Sequence, residues 1–258
     1  MASIELQEFF VQQGSFRLEV PQLRLRAGEL VAVCGNNGSG KSTFLSALAG
    51  LQDYRGLYRL CGRDFSRLSL KERACLLSFL PQGSTVTLPF EVSYLVLTGR
   101  FPLVQGLRYR AEDLAQMEEA LRNFDLMPLK KRSFLELSGG EKQRVLLART
   151  FVRQSPVFLL DEPFTAIDLR HQHRFLHLFR GLAQRHLLIA VMHDLALAIE
   201  NFDRFLLFRR GQLLYDLRRN ELNDQVLSEV FECPMRLFEC QGHYLVEVGT
   251  ETFGGRES

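Results

Sequence analysis

The feature that most constrains this chain is a glycine-rich loop that lies directly after an apolar strand. The wholly apolar run Leu30–Cys34 is followed at once by residues 35–43, which read GNNGSGKST. This segment matches the pattern G-x-x-x-x-G-K-S/T in the strand-to-helix context that the pattern requires. An apolar run of this kind is typical of a strand buried on both faces of a parallel sheet. The loop and its strand therefore indicate an α/β fold.

The residue types of this loop suit the binding of phosphate. Its glycines let the backbone turn successive N–H groups inward, and the following helix points its positive N-terminal end at the same place. Lys41 adds a point charge for the outer phosphates, and the Ser42 hydroxyl is a ligand for Mg²⁺. The alternative is a glycine-rich turn without a ligand. The residues predicted to bind phosphate are Gly35, Asn36, Asn37, Gly38, Ser39, Gly40, Lys41, Ser42 and Thr43.

Polar side chains follow two further apolar strands. Asp161 and Glu162 come directly after Val157–Leu160, and His193 follows Leu187–Met192. In open α/β sheets, ligands lie beyond the carboxyl ends of the strands, so these side chains should meet the phosphate loop at one edge.

The chemistry of these three residues fits phosphoryl transfer. Asp161 suits Mg²⁺, bound directly or through water, and Glu162 suits the orientation and deprotonation of an attacking water. His193 would sense or stabilise the transferred phosphate. Acids at a strand exit are commonly just solvated and a single histidine is commonly structural, but three strand exits at one phosphate site favour the functional interpretation.

Hydrophobic patterning divides the rest of the chain into further elements. Gly14 and Pro21 interrupt the N-terminal strands, and Thr250–Ser258 reads as a frayed end. The predicted strands are Ile4–Val11, Phe16–Val20 and Leu23–Arg26, with strand-like pieces after Phe205 that read FLLF, QLLY and HYLVEV. The predicted helices cover residues 112–124, with an apolar face of Leu114, Met117, Leu121 and Phe124, residues 141–153 and 169–184, and a segment near Asp224–Phe231.

Composition excludes several classes of protein. The 32 Lys+Arg balance 30 Asp+Glu, so the net charge of +2 argues against a protein that coats nucleic acid. No apolar run approaches the roughly 18–20 residues of a membrane helix, and from the N-terminal residues we expect no secretory signal. The five cysteines have no C-x-x-C spacing, so we expect reduced thiols of a cytosolic protein and no zinc site.

A second glycine-rich segment precedes the helix predicted at 141–153. Ser138 and Glu141 have the spacing of a capping box, so the segment could merely start a helix. Two consecutive glycines, Gly139 and Gly140, exceed what a cap needs. They weaken the helix start while exposing backbone N–H groups, which suits a second anion site.

Four segments now stand in a fixed order: GNNGSGKST, LSGGEKQR, VFLLDEP and VMHD. Together they resemble the nucleotide-binding subunit of ATP-binding cassette (ABC) transporters, over about Ile4 to Val248. The resemblance implies an ATP hydrolase with ATP and Mg²⁺ as cofactors. In this resemblance, residues 35–43 are the Walker A loop, Asp161 is the Walker B aspartate and Glu162 is the catalytic base. The signature consists of Ser138, Gly139, Gly140 and Glu141, and the D-loop ends at Asp168. His193 is the switch histidine, and Gln82 is the Q-loop glutamine and a magnesium ligand.

The same resemblance implies an architecture and partners. The fold would be a P-loop NTPase core with a mainly parallel sheet, an N-terminal antiparallel β subdomain and an inserted α-helical subdomain. One domain would cover residues 1–258, with the core at 1–83 and 154–258 and the helical subdomain at 84–153. Two copies would face each other head to tail, so that ATP on Lys41 of one is closed over by Ser138 and Gly140 of the other. Two membrane permease subunits, and indirectly a substrate-binding protein, would complete a transporter, with this subunit peripheral on the cytoplasmic side of the inner membrane and without a nucleic-acid partner.

Two departures from the family pattern stand out. The aromatic residue that stacks on adenine has no clear counterpart, since its place by spacing falls near Gln12, with Phe10 and Phe16 as alternatives. The D-loop reads TAID instead of the commoner SALD.

The stretch between Gln82 and the signature is similar to importer cassettes for iron(III)-siderophores, haem and cobalamin. It runs from Phe90 through Tyr94 to a Gly-Arg-Phe-Pro sequence containing Phe101. These three aromatic side chains would either contact a permease helix or belong to the core. Another importer or an exporter is an alternative, as is a soluble cassette ATPase. The interval from Lys41 to Asp161 is too short for the coiled coil of repair ATPases, and translation-type members usually carry two cassettes, but a cluster-assembly ATPase stays open.

Overall fold

The computed structural model of the chain describes residues 2–83, 86–104, 106, 108–241 and 243–249. Its strands are β1 Ser3–Gln13, β2 Phe16–Arg26, β3 Leu30–Cys34, β4 Arg55–Leu60, β5 Arg63–Asp64, β6 Leu77–Leu80, β7 Val157–Asp161, β8 Leu187–Val191, β9 Arg204–Arg209, β10 Gln212–Arg218, β11 Met235–Cys240 and β12 His243–Val248. Its helices are α1 Lys41–Leu48, α2 Leu70–Leu76, α3 Val92–Leu97, α4 Ala111–Asn123, α5 Gly139–Phe151, α6 Leu169–Ala183, α7 Leu195–Asn201 and α8 Asp224–Phe231.

Within these described ranges, ten strands form one sheet in the order β5-β4-β1-β2-β10-β9-β3-β8-β7-β6. The half from β9 to β6 is parallel, and the half built from β1, β2, β4 and β5 is antiparallel. A separate hairpin, β11–β12, packs beside α7 and α8. The predicted α/β class, with its mainly parallel core and an antiparallel N-terminal part, is confirmed.

The three apolar strands β3, β7 and β8 lie side by side in the middle of the parallel half. Every residue of each strand is buried. Alternate residues enter two hydrophobic clusters, one shared with α4–α6 and the other with α1, β1 and β2. This double burial explains why the three runs are apolar throughout, and parallel pairing brings their carboxyl ends to one edge.

The N-terminal strands correct one prediction. Separate strands were expected on either side of Pro21, but β2 continues through it. Glu8 of β1 has a φ of 47°, and the pairing of β1 with β4 shifts between Gln7 and Phe10. Pro21 lies opposite this irregularity, where the ladder between β1 and β2 skips a pair. A proline, which lacks an N–H, is tolerated at such a bulge.

Helices α3, α4 and α5 follow β6 and precede β7 in the sequence, and they pack on one another. Arg100 lies within the short helical turn Thr98–Leu103 that follows α3. It forms a buried ion pair with Asp113 of α4 at 2.9 Å and donates to the Val152 carbonyl. The Gly-Arg of the importer-like sequence therefore ties this turn to α4 and to the end of α5. The subdomain limits 84 and 153 stay a prediction, and residue 84 lies outside the described residues.

Of the three aromatic residues in this part, Phe90 is half-buried against the core, whereas Tyr94 and Phe101 are 50% and 72% exposed.

At the other end of the chain, helix α8 has the predicted bounds, and the predicted frayed end, Thr250–Ser258, lies outside the described residues. Among the helices that the structure describes, none has the length and apolar character to cross a membrane.

Candidate functional site

The loop between β3 and α1 is held open by glycine. Gly35 has a φ of 145°, and a Cβ atom there would lie 2.1 Å from the Phe208 carbonyl oxygen. Gly40, which precedes α1, has a φ of 104°. Residues with side chains rarely adopt these conformations, so the glycines are required by the backbone of the loop itself.

Lys41 is folded back into the loop. Its Nζ donates to the carbonyl oxygens of Gly35 at 2.8 Å and Asn36 at 2.9 Å, and the residue is only 5% exposed. Burial lowers the pKa of the Lys41 ammonium, against the opposing effects of the neighbouring Cys34, Glu162 and Asp161. The loop thus presents a partly desolvated cation, which is suited to the oxygens of a phosphate chain.

Ser42 and Asp161 bring two oxygen ligands together from α1 and the end of β7. The Ser42 Oγ donates to Asp161 Oδ1 at 3.2 Å. Asp161 is buried, and this burial raises the pKa of its carboxyl group above the usual value. A buried carboxylate beside a hydroxyl, next to a phosphate loop, is the donor set that Mg²⁺ prefers, so these residues fit the predicted ion.

Glu162, one residue further on, is held by side chains from three segments. Its Oε1 lies 2.6 Å from His193 Nε2 and accepts a hydrogen bond from Gln82 Nε2 at 2.5 Å. Its Oε2 accepts from Thr165 Oγ1 at 3.3 Å. Glu162 has a φ of 51°, a left-handed conformation that is uncommon for a residue with a side chain.

Lys41, Ser42, Gln82, Glu162 and His193 line one cleft of about 670 Å³, and Asp161 is joined to it through Ser42. Its described lining residues are Gln13, Phe16, Asn37, Gly38, Gly40, Lys41, Ser42, Thr43, Gln82, Glu162 and His193. The predicted meeting of three strand exits at the phosphate loop is therefore present in the structure.

The three candidates for an adenine-stacking residue separate clearly. Phe16 lines the cleft and lies against Gly40. Phe10 and Gln12 line a different cleft, where the Arg17 guanidinium covers the Phe10 ring at 4.7 Å. Spacing alone pointed to Gln12, and the strand pairing of β1 with β2 is what brings Phe16 to the site instead.

The second glycine segment starts α5 and stands apart from this cleft. Ser138 accepts from the Glu141 N–H, and Glu141 Oε2 accepts from both Ser138 N and Ser138 Oγ at 2.8 Å, so the predicted capping box is present. The helix begins at Gly139, two residues earlier than expected. A Cβ on Gly140 would lie 2.7 Å from the Ala166 carbonyl oxygen, so close packing is a structural reason for the second glycine.

Asp168 caps α6. Its carboxylate accepts from the His171 N–H at 3.0 Å and lies 2.8 Å from His171 Nδ1, and these contacts with His171 lower the pKa of the Asp168 carboxyl group. Gln143 is a further residue for which the sequence suggested no role. Its Nε2 donates to the Pro163 carbonyl at 3.0 Å and so steadies the turn that carries Glu162. The contact joins residues 20 positions apart, which no local pattern reveals.

The fold and this cleft define a nucleotide-hydrolysing cassette, and comparison with known proteins supplies the family. The profile of the ABC transporter family matches residues 18–165. The chain therefore belongs to the ABC transporter family, and the resemblance carried by its four segments is confirmed. Like the ATP-binding subunits of this family, the chain is an ATP hydrolase.

Its similar relatives include hemin import ATP-binding proteins named HmuV. The protein of that name from Streptomyces coelicolor is 40% identical over 224 residues, covering 86% of this chain and 80% of the relative. The one from Pseudomonas entomophila is 38% identical over 237 residues, covering 88% and 92%. A solved metal-chelate type ABC transporter in an inward-facing conformation shares the fold with a TM-score of 0.80, at 24% identity and over 96% of this chain and 97% of that one.

Proposed function

We propose that this chain is the ATPase subunit of an importer of metal chelates, and that haem is the chelate. The observation that supports the ATPase assignment is the convergence of Lys41, Glu162 and His193 on one cleft, where Ser42 is bonded to the buried Asp161. The haem assignment is supported by relatives named hemin import ATP-binding proteins, of which two are matched over 80% and 92% of their length.

ATP would bind with its phosphates on the loop of residues 35–43. The Lys41 ammonium would exchange its two carbonyl partners for the outer phosphate oxygens, and the N-terminus of α1 would face the same charge. The adenine ring would stack on Phe16 at the mouth of the cleft.

Hydrolysis would depend on Glu162. Its carboxylate would accept a proton from the attacking water, while His193, from the neighbouring strand exit, would donate to the transferred phosphate. Since Gln82 and His193 both hold Glu162 Oε1, these contacts must loosen as water and phosphate take their place. Catalysis would then rest mainly on positioning and on charge.

Ser42 and Asp161 would hold Mg²⁺, and Gln82 would join them once it leaves Glu162. When bound, this ion supplies neutralisation of the charge on the phosphate oxygens. Asp168 would stay at the start of α6, where it caps the helix and fixes the segment that precedes it.

The signature residues would act on the ATP of a second copy. Ser138 and Gly139 are exposed, and the described lining of the Lys41 cleft contains no residue of the signature. The backbone N–H groups at the start of α5 are therefore available to phosphate on a facing subunit. We propose a homodimer with two composite sites, docked beneath two permease subunits on the cytoplasmic face of the membrane and served by a substrate-binding protein.

The transport assignment is tested with the chain purified together with its membrane partner. The complex is reconstituted in vesicles with the cassette side outside, and loss of haem from the vesicle lumen is followed with and without MgATP. We expect ATP-dependent movement of haem toward the cassette side, and no movement in a matched Glu162→Gln complex. Selective movement of a ferric siderophore or cobalamin would overturn haem and keep the importer.

Two other outcomes would overturn the importer. Movement of substrate away from the cassette side would identify an exporter. Purification from native cells without any membrane partner, with full ATPase activity, would instead favour a soluble cassette ATPase.

A further inference from the structure

We propose that Asn36 is a positioning residue through which the C-terminal helix α8 sets the ATP affinity of the phosphate loop. The inference rests on the proposed function, since it concerns how the loop is held for ATP. Asn36 lies second in the loop and is half-buried. Its Nδ2 donates to the carbonyl oxygen of Phe231, the last residue of α8, at 2.9 Å.

Asn36 contacts the phosphate loop through its backbone and helix α8 through its side chain. Its own carbonyl oxygen accepts from Lys41 Nζ at 2.9 Å and from the Ser39 N–H at 3.1 Å, so its backbone is part of the inner surface of the loop. Its side chain points the other way, to α8. Movement of α8 is therefore transmitted to the carbonyl that holds Lys41.

The partner of Asn36 is the end of a helix. The last carbonyl groups of a helix have no partner within it and carry a partial negative charge. Two of these carbonyl groups of α8 accept hydrogen bonds from side chains outside the helix. The Phe231 carbonyl accepts from Asn36 Nδ2, and the Glu229 carbonyl accepts from Arg209 Nη1 at 2.9 Å. Glu232, with a φ of 57°, ends the helix and pairs with Arg210 at 2.6 Å. The amide of Asn36 thus covers one carbonyl of a negative helix end beside a loop built for an anion.

Helix α8 is firm enough to serve as a support. Leu227 and Val230 are fully buried, and Asn223 caps the first turn. The hairpin strand β11 is tied to the helix because Ser228 Oγ accepts from Met235 N at 2.9 Å and Asp224 Oδ1 accepts from Leu237 N at 2.8 Å. A helix held in this way can fix the loop rather than follow it.

The β9–β10 turn supplies a second support from the same part of the chain. The Gly211 N–H donates to the Ser39 carbonyl at 3.0 Å, and the Phe208 carbonyl lies against Gly35. These contacts are made by backbone atoms. The described contact from Asn36 to α8 differs, because it is made by a side chain of the loop. A substitution at Asn36 can therefore remove this contact without changing the glycines of the loop.

The test compares variants in ATP titrations of the full-length chain. A typical hydrogen bond contributes about 0.5–1.5 kcal/mol, so we expect Asn36→Ala to raise the KM for ATP by roughly 3- to 10-fold, with kcat lowered by less than about 2-fold. Asn36→Gln keeps the amide donor and should recover part of the affinity. Arg209→Ala removes the other donor to the end of α8 without touching the loop, and should leave the KM within about 2-fold.

A reciprocal measurement separates positioning from mere stability. If α8 affects ATP binding through Asn36, ATP must affect α8 to the same extent. We expect ATP to slow hydrogen exchange of a peptide covering residues 224–240 in the wild type, and this protection to vanish in Asn36→Ala. Equal KM values for wild type and Asn36→Ala, or equal protection in both, would overturn the inference. A wild-type chain that binds no ATP would overturn the proposed function with it.

Discussion

The Nε2 of His193 lies 2.6 Å from Oε1 of Glu162, although the two residues follow different strands of the sheet. The same carboxylate oxygen also accepts from Gln82, which follows a third strand. Glu162 and two of its neighbours are therefore gathered at the common edge of β6, β7 and β8.

Removal of the histidine should impair the chemical step. We expect His193→Ala to lower kcat about 100-fold or more, within the range for a group that assists proton transfer, while the KM for ATP changes much less. His173→Ala, on the exposed side of α6, is the matched control and should behave as wild type. A His193→Ala variant with unchanged kcat would exclude the histidine from the reaction.

Phe16 should account for recognition of the base. Aromatic stacking on a nucleobase is worth about 1–3 kcal/mol, so Phe16→Ala should raise the KM for ATP by roughly 5- to 100-fold. Phe16→Tyr keeps the ring and should stay close to wild type, while Phe16→Leu tests whether apolar volume against Gly40 is enough. Phe10→Ala, from the neighbouring cleft, should leave the KM unchanged, and the reverse order of effects would assign stacking to Phe10.

Asp161 should illustrate a conflict between function and stability. Burial raises the pKa of the Asp161 carboxyl group in the folded state. At a pH above this raised pKa, the charged carboxylate destabilises the folded state. This destabilisation decreases as the pH falls through the raised pKa, because the carboxyl group becomes protonated. We expect Asp161→Asn to stabilise the nucleotide-free chain by about 1 kcal/mol at pH 7, seen as a rise in Tm of roughly 2–4 °C. The gain should shrink in acid.

The same Asp161→Asn variant should lose magnesium-dependent ATPase activity. Ser42 would still find an acceptor in the asparagine, so the hydrogen bond itself is a poor explanation for any loss. A lower Tm for the variant at pH 7 would mean that the carboxylate stabilises the empty site, contrary to this account.

Composite sites can be tested with Lys41→Ala and Ser138→Arg in mixed dimers. If each site joins Lys41 of one subunit to Ser138 of the other, placing both substitutions in one subunit damages both sites. Placing one substitution in each subunit concentrates the damage in one site and leaves the other intact. We expect no ATPase activity in the first dimer and up to about half in the second.

Sites contained within single chains would give the opposite result. The doubly substituted subunit would then leave its partner active, and the dimer with separate substitutions would be dead. Tandem fusion of the two subunits fixes their pairing and allows the two arrangements to be compared at equal concentration.

Local chemistry explains which elements could be predicted from the sequence. The loop of residues 35–43, a helix directly after it and a helix near Asp224–Phe231 follow from glycine spacing and hydrophobic patterning, and the structure has all three. The continuous strand through Pro21 could not be predicted, because the bulge at Glu8 that accommodates it belongs to another strand.

The site shows the same division. Asp161, Glu162 and His193 could be assigned to one edge because parallel strands align their carboxyl ends. Phe16 was one of three candidates, since only the pairing of β1 with β2 decides which aromatic side chain reaches the cleft. The contact of Gly140 with Ala166 and the bond from Asn36 to Phe231 join distant segments and leave no local trace in the sequence.

The most direct test of the account is the turnover of the Glu162→Gln variant. The glutamine keeps the shape of the side chain but cannot accept the proton of the attacking water. We predict that ATP hydrolysis falls at least about 100-fold while ATP binding is retained, and that gel filtration with MgATP shows a trapped dimer. Wild-type hydrolysis by Glu162→Gln would contradict the assignment of Glu162 as the base and, with it, the mechanism built around this cleft.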